Sequence, residues 1–125
     1  MKLATTAFAD NAAIPPEFAF CAMDPAQHAK LSANRNPDFS WSELPSGTRS
    51  LVLTCHDSDV PSRGDDVNKE GRTVPASLAR VDFYHWVLVD LDWNSGPIQE
   101  GEFSSGVTPK GKPGPDAMVS CPMCW

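Results

Sequence analysis

The chain of 125 residues carries 16 acidic and 10 basic side chains, a formal net charge of −6, 41% hydrophobic residues and 12 prolines. This length and composition predict one globular domain with its own core and exclude a disordered chain. The acidic balance excludes non-specific nucleic-acid binding, which needs clustered lysine and arginine, and the prolines disfavour long helices.

The N-terminal region contains no recognisable targeting segment. Residues 1–13 (MKLATTAFADNAA) hold one lysine and no apolar run, whereas a secretory signal has an apolar core of about 7–15 residues. No stretch of the sequence approaches the roughly 20 apolar residues of a membrane span. We therefore expect a cytoplasmic protein without a transmembrane segment, whose thiols are reduced.

The first half of the chain predicts short elements separated by turns. Residues 2–8 predict a first strand, residues 14–18 an extended segment stiffened by two prolines, and residues 37–41 a second short strand. Turn signals lie at residues 34–37 and 45–48.

Two further strands carry the strongest pattern. Residues 51–55 (LVLTC) predict a buried strand that runs into a polar cluster and stops at Pro61, and residues 83–91 (FYHWVLVDL) predict a strand that is apolar, and therefore covered, on both faces. A long polar segment separates them, in which residues 75–80 predict a helical turn. From Gly106 onward the density of prolines predicts no regular structure.

The polar residues at the ends of these two strands predict a binding site. Asp57 continues the first strand with the parity of its apolar residues, Asp59 follows, and His85 lies near the start of the second strand. If the strands pair antiparallel, the end of one meets the start of the other. Two carboxylates and an imidazole would then converge over an apolar floor near Tyr84 and Trp86, as in a small-ligand site.

The same residues also allow plain structural interpretations. A histidine within an apolar strand is more often structural than functional. Asp57–Pro61 is by default a turn in which an aspartate caps backbone amides. The pattern alone leaves both interpretations open.

The sequence resembles the phosphatidylethanolamine-binding protein family, also called Raf-kinase-inhibitor-protein-like, and its bacterial YbhB-like branch. The resemblance rests on ordered motifs between Ile14 and about Gly111. Residues 36–41 and 44–48 resemble the family's NxSPxLxW and LPxGT stretch, residues 57–61 (DSDVP) its D-x-D-x-P signature, and residues 85–89 (HWVLV) its H-W strand. Residues 66–72 resemble an insertion of one bacterial subgroup.

The resemblance implies an antiparallel β-sandwich with few short helices and a small anion pocket at one end. It implies a non-catalytic binding module for a phosphate or phosphoethanolamine-type ligand, without metal or cofactor, in which binding is coupled to regulation of kinases or other partners. The candidate ligand-binding residues are Asp57, Asp59, Pro61, His85 and Trp86.

The C-terminal region departs from the family pattern. The family's later GxCPP and GxHRY block is absent. We therefore expect a single family-type domain over residues 1–111, incomplete at its C-terminus, and an irregular non-family tail over residues 112–125. A homodimer that covers the missing strands is one alternative, and a non-functional truncated product is another.

A CxxC at Cys121 and Cys124 lies in this tail. One CxxC supplies two of the four ligands of a structural zinc site, and a redox CxxC usually opens a helix after a strand. The proline-rich context here differs, so we predict neither role.

Three functions remain distinguishable. The first is the small-ligand binding module, and the second is a protein-interaction or kinase-inhibitor-like module for which the pocket is secondary. The third is an enzyme with His85 as general base, oriented by Asp57. No serine or cysteine nucleophile motif supports the third function.

Overall fold

The computed structural model describes residues 1–67 and 69–107, together with the backbone strand Val119–Ser120. This part of the chain is built from short and long strands and a single-turn 3₁₀ helix, Pro16–Phe18. The strands are β1 Lys2–Ala4, β2 Cys21–Asp24, β3 His28–Leu31, β4 Ser40–Ser42, β5 Leu51–Pro61, β6 Arg80–Leu91 and β7 Val119–Ser120. The prediction of a mainly β protein with few short helices is confirmed.

All strand pairs of the described residues are antiparallel. β1 pairs with β4, β2 forms a hairpin with β3, and a three-stranded sheet has the order β5-β6-β7. An isolated bridge between Phe39 and Ile98 ties the segment before β4 to the segment after β6. The long β5–β6 pair is therefore the frame on which the shorter elements assemble.

Several local predictions differ from the structure. The first strand ends at Ala4, and the prolines of the predicted extended segment 14–18 support a 3₁₀ turn instead. Of the predicted helical turn 75–80, residues 75–78 form a single hydrogen-bonded turn, and Arg80 already begins β6. A proline in the first turn of a helix loses no intrahelical hydrogen bond, which explains the second difference. The β2–β3 hairpin was not predicted. The prediction of no regular structure after Gly106 is wrong at Val119–Ser120, which pairs with β6.

The β5–β6 pair is long but irregular. Its β-branched and aromatic residues favour extended backbone, yet its register shifts at three points: between Leu51 and Leu53, between Cys55 and His56, and between Asp57 and Val60. At the second shift Cys55 opposes Trp86 while His56 opposes Tyr84, which leaves His85 as the extra residue. Such bulges change the direction in which a side chain points and are frequent beside functional sites.

The hydrophobic core lies at one end of this strand pair. Trp86, Leu88, Leu91 and Ile98 form the buried cluster, and Leu88 is fully buried. Five partly buried side chains pack around it: Phe39, Trp41, Leu51, Leu53 and Phe103. The core thus fixes β6 immediately after His85.

The prediction that both faces of β6 are covered is wrong for the residues the structure describes. Tyr84 remains 51% exposed, Val89 38%, and Val52 of the neighbouring strand 64%. Apolar pattern alone could not reveal this, because an exposed valine and a buried one look alike in sequence.

The side chain of Asn36 connects two chain segments that are distant in sequence. Its carboxamide nitrogen donates to the carbonyls of Pro37 and Gln99, and its side-chain oxygen accepts from the backbone N–H groups of Phe103 and Ser104, at 2.8–2.9 Å. The residue is buried, and all four of these bonds run to backbone groups. One side chain therefore holds the segment 97–104 against the start of the β4 region.

Asp38 anchors the end of β1. Its carboxylate accepts hydrogen bonds from the backbone N–H of Thr6 and from the hydroxyls of Thr5 and Thr6. The backbone hydrogen bond from Thr6 is the main reason that the pKa of Asp38 lies below its ordinary value of 3.8. These bonds also explain why β1 ends at Ala4, since Thr5 and Thr6 turn their donors toward Asp38.

Replacing Asp38 by asparagine is expected to lower the free energy of unfolding at neutral pH by about 1 kcal/mol. Because the pKa is lower in the folded state, the ionised carboxylate stabilises the fold above the unfolded pKa, and this contribution disappears as the pH falls through the folded pKa. Urea unfolding of both proteins at neutral pH and near pH 3 measures it. A difference that stays constant on acidification would contradict this assignment.

Two cysteines lie within the described residues. Cys55 is a free thiol, whereas Cys21 is disulfide-bonded. The expectation of reduced thiols therefore fails at Cys21. The predicted tail 112–125, apart from Val119–Ser120, and the CxxC at Cys121 and Cys124 lie outside the described residues. Within those residues, no helix is long and apolar enough to cross a membrane.

Candidate ligand-binding site

The antiparallel pairing of β5 and β6 brings Asp57 and His85 together. His85 Nε2 lies 3.9 Å from Asp57 Oδ2, with the side chains 29% and 46% exposed respectively. This distance is too long for a direct hydrogen bond and short enough for electrostatic attraction when the imidazole is protonated. The partial exposure leaves both groups accessible to a small molecule.

The bulge at Ser58 and Asp59 orients Asp57. The backbone N–H of Asp59 donates to Asp57 Oδ1 at 2.8 Å. An aspartate that binds the amide two residues ahead forms an Asx turn, the structural interpretation noted for this motif. Because only Oδ1 is used, Oδ2 stays available to face His85, so the capping role and a binding role are compatible.

The pKa of the Cys55 thiol responds to partial desolvation and to the negative charge of Asp57. Partial desolvation of the sulfur, and secondly the negative charge of Asp57, raises the pKa of the Cys55 thiol above its ordinary value of 9.0, although the residue as a whole is exposed. The thiol is therefore protonated at neutral pH, and it is a poor nucleophile in that form. Cys55 therefore supplies no activated thiolate beside Asp57.

Asp59 does not converge on His85. Its side chain is 85% exposed and its Oδ1 lies 3.5 Å from Nε of Arg80, the first residue of β6. Pro61 pairs with Arg80 at the same end of the sheet. The site therefore extends from His85 through Asp57 and Asp59 to Arg80, rather than closing around the histidine.

Trp86 lies in the hydrophobic core. Its ring stacks on Phe39 with the centroids 6.2 Å apart, and the residue is 9% exposed. Its indole Nε1 is buried and has no hydrogen-bond partner among the described residues. Trp86 thus forms part of the floor that fixes His85, and its contact with a ligand stays a prediction.

The aromatic residue beside His85 is Phe83, and not Tyr84 as the sequence predicted. Phe83, which pairs with Asp57, contacts the His85 ring edge-on at a centroid distance of 4.9 Å. Tyr84, which we expected beside His85, instead stacks on His56 at 4.9 Å. Phe83 could have been found in the sequence, because it is two residues before His85 and so shares its parity along an extended strand.

A second histidine–carboxylate pair lies on the same two strands. His56 Nε2 is 3.1 Å from Asp82 Oδ1, with side chains 36% and 65% exposed. This pair is closer than the His85–Asp57 pair, so proximity to a carboxylate does not by itself single out a binding site. No group of three or more potential metal ligands occurs among the described residues.

The described strands pair antiparallel, and a histidine of β6 faces the first aspartate of a D-x-D-x-P turn in β5. This combination is the one expected for the family that the sequence resembles. The chain matches the model of the phosphatidylethanolamine-binding protein family over residues 4–118. It therefore belongs to the phosphatidylethanolamine-binding protein family.

Individual relatives agree with this assignment. UPF0098 protein YbhB of Escherichia coli K12 is 30% identical over 74 residues, covering 59% of this chain and 35% of the relative. A UPF0098 protein of Methanothermobacter thermautotrophicus is 27% identical over 111 residues, covering 89% and 55%. The similarity supports the YbhB-like branch, and the chain spans about a third to just over half of these relatives.

A solved structure shares the fold. The crystal structure of a phosphatidylethanolamine-binding protein homolog from Chlamydia trachomatis superposes with a TM-score of 0.56 at 23% identity, covering 98% of this chain and 63% of the other. At this identity the likeness establishes the fold alone. It is consistent with the predicted family architecture.

Proposed function

We propose that the protein binds a small phosphorylated or zwitterionic ligand of the phosphate or phosphoethanolamine type, with His85 as the donor to the anionic group. Family membership supports a binding module of this type. The observation that carries the finer proposal is that the half-exposed His85–Asp57 pair at 3.9 Å, unlike the closer His56–Asp82 pair, joins the histidine and the first aspartate of the two family-type motifs. Asp57 lies close enough to attract the protonated imidazole electrostatically, and the exposed carboxylate of Asp59 can face an ammonium group beside its contact with Arg80.

The surroundings suit this role. Phe83 packs edge-on against the His85 ring, and Trp86, the next residue along β6, is anchored in the hydrophobic core. Pro61 ends β5 and limits the flexibility of the adjoining backbone. The proposed ligand set is thus Asp57, Asp59, Pro61, His85 and Trp86, as the sequence predicted.

Calorimetric titration with inorganic phosphate and with phosphoethanolamine tests this proposal. The His85→Gln variant is expected to bind about tenfold or more weakly, because it loses a charge-assisted hydrogen bond. His56→Gln is the matched control, since it removes a histidine–carboxylate pair from the same strands and leaves the site intact. Equal affinities of the wild type and His85→Gln would contradict the proposal.

The pH adds a second readout to the same titration. Histidine changes charge between about pH 5 and pH 8. If His85 binds the anion as imidazolium, the affinity advantage of the wild type over His85→Gln falls as the pH rises through this range. An advantage that does not change across it would exclude the charged form.

A second candidate function is protein–protein interaction, including self-association. It is favoured by Val52 and Tyr84, which are 64% and 51% exposed on the β5–β6 pair. Such side chains mark an interaction surface when they join into one contiguous apolar patch. Sedimentation equilibrium of the wild type and of Val52→Lys tests the self-association form of this candidate. We expect the wild type to self-associate and the variant to be monomeric. A monomeric wild type would contradict self-association through this surface.

A further inference from the structure

Arg80 carries an unsatisfied donor next to the candidate site. It is the first residue of β6, opposite Pro61, and its side chain is 30% exposed. Its Nη1 is nevertheless buried and has no hydrogen-bond partner among the described residues. Its Nε lies 3.5 Å from Asp59 Oδ1, the acidic neighbour that the structure gives it.

A buried guanidinium nitrogen without an acceptor is uncommon. Arginine stays charged at all ordinary pH values and presents donors in a fixed planar fork. Because a buried donor without an acceptor destabilises the folded state, each such group needs an explanation. A ligand oxygen that is not part of this chain is one such explanation, and the planar fork matches phosphate or carboxylate oxygens.

Arg80 is also connected to the candidate site. Asp59 contacts Arg80 through its side chain, and its backbone N–H donates to Asp57, whose other oxygen faces His85. Three successive contacts therefore link Arg80 to His85. Asp59 contacts the edge of the guanidinium that contains Nε, whereas the buried Nη1 lies on a different edge.

The charge balance requires a second cation. The titratable and charged groups here are Cys55, Asp57 and Asp59 of β5 and Arg80 and His85 of β6, with the His56–Asp82 pair on the same strands. Two carboxylates repel an anion, and a neutral imidazole offsets neither of them. Above the pH range in which histidine is charged, Arg80 is therefore the cation that remains beside the two aspartates.

We propose that Arg80 is a specificity-determining residue of this site: its guanidinium binds an anionic oxygen of the ligand while Asp59 positions it. This inference rests on the proposed function and adds a residue outside the predicted ligand set. It identifies the ligand class as one carrying a phosphate-like oxyanion. His85 and Arg80 then contribute in different pH ranges, since only the histidine loses its charge.

A purely structural role of Arg80 gives a different result. If the side chain only fixed the end of the sheet, its removal would weaken binding by the same factor at every pH. If it binds the anion, its removal matters most where His85 is neutral. The ratio of dissociation constants between variant and wild type measures this directly when the probe is sulfate, because sulfate carries the same charge across the whole pH range.

The experiment is calorimetric titration of inorganic sulfate, a tetrahedral oxyanion with the same charge at both values, into the full chain at about pH 5.5 and about pH 8. Arg80→Gln is expected to raise the dissociation constant about tenfold or more at the higher pH and clearly less at the lower one. Arg72→Gln, a matched control whose side chain is 67% exposed, is expected to stay within about twofold. Equal ratios at both pH values, or no change at either, would overturn the assignment.

Further variants separate the possible failures. If Arg80→Gln unfolds, Arg80→Lys keeps the charge but not the fork, and it is expected to retain measurable but weaker binding at the higher pH; full wild-type affinity would contradict a role for the fork. If the wild type binds phosphate, His85→Gln does not and Arg80→Gln is unchanged, only the Arg80 assignment fails. If the wild type itself does not bind, the proposed function fails, and the Arg80 inference fails with it.

Discussion

Truncation of Asn36 to alanine is expected to lower the free energy of unfolding by about 3 kcal/mol. The carboxamide satisfies two carbonyls and two backbone N–H groups at 2.8–2.9 Å in a buried position. Each partner left unsatisfied in the interior costs about 1–3 kcal/mol, and water entering the vacated space recovers part of that cost.

Asn94→Ala is the matched control for this prediction. It removes the same side chain from an exposed position, and only the backbone N–H of Asn94 takes part in a hydrogen bond, to Asp92. Urea unfolding monitored by tryptophan fluorescence measures both variants. A change below about 0.5 kcal/mol for Asn36→Ala, which is the range of ordinary surface substitutions, would show that Asn36 does not hold the segment 97–104 in place.

Leu88→Ala is expected to lower the free energy of unfolding by about 2–5 kcal/mol. Leu88 is fully buried among Trp86, Leu91 and Ile98, so its truncation removes apolar burial and leaves a cavity in the middle of β6. The consequence reaches the candidate site, because His85 lies directly before this buried stretch. We therefore expect weaker phosphate binding under conditions in which the variant begins to unfold.

Leu31→Ala provides the comparison for Leu88→Ala. Leu31 lies in β3 and is 62% exposed, so the same truncation there is expected to change stability by about 0.5 kcal/mol or less. The two variants are compared by urea unfolding with a common slope. Equal effects at the two positions would contradict the placement of Leu88 in the core.

The strands around the site could be predicted from the sequence because their residues are local and periodic. Residues 51–55 and 83–91 are rich in β-branched and aromatic side chains and lie in β5 and β6, although β5 continues through the polar cluster to Pro61 and β6 begins earlier, at Arg80. The antiparallel pairing is only a condition of the sequence prediction, and the structure shows that it holds and that it brings Asp57 to His85. The ordered family motifs added the same residues independently.

The irregularities could not be predicted, since they depend on contacts distant in sequence. At the register shift beside His85, Trp86 is buried in the core, whereas Tyr84 is exposed and stacks on His56. The partners of Asn36 lie as far as 68 residues away. No local pattern specifies such bonds.

The role of Arg80 was concealed for a different reason. In the sequence it ends a segment that predicts a helical turn, and a single arginine in a polar loop is usually solvated. Only the structure shows that it begins β6, faces Asp59 and carries a buried, unsatisfied donor. The burial of one atom, Nη1, in a side chain that is otherwise partly exposed identifies Arg80 as a candidate binding residue.

The central claim is that a phosphate-type ligand binds at the bulged part of the β5–β6 pair. The most direct measurement is a proton–nitrogen correlation NMR spectrum of the full chain during titration with inorganic phosphate. We expect the largest shifts at the backbone amides of residues 57–60 and 83–86. Absence of shifts at saturating phosphate, or shifts confined to the open groove of about 420 Å³ beside Trp41 and Trp93, would contradict the claim.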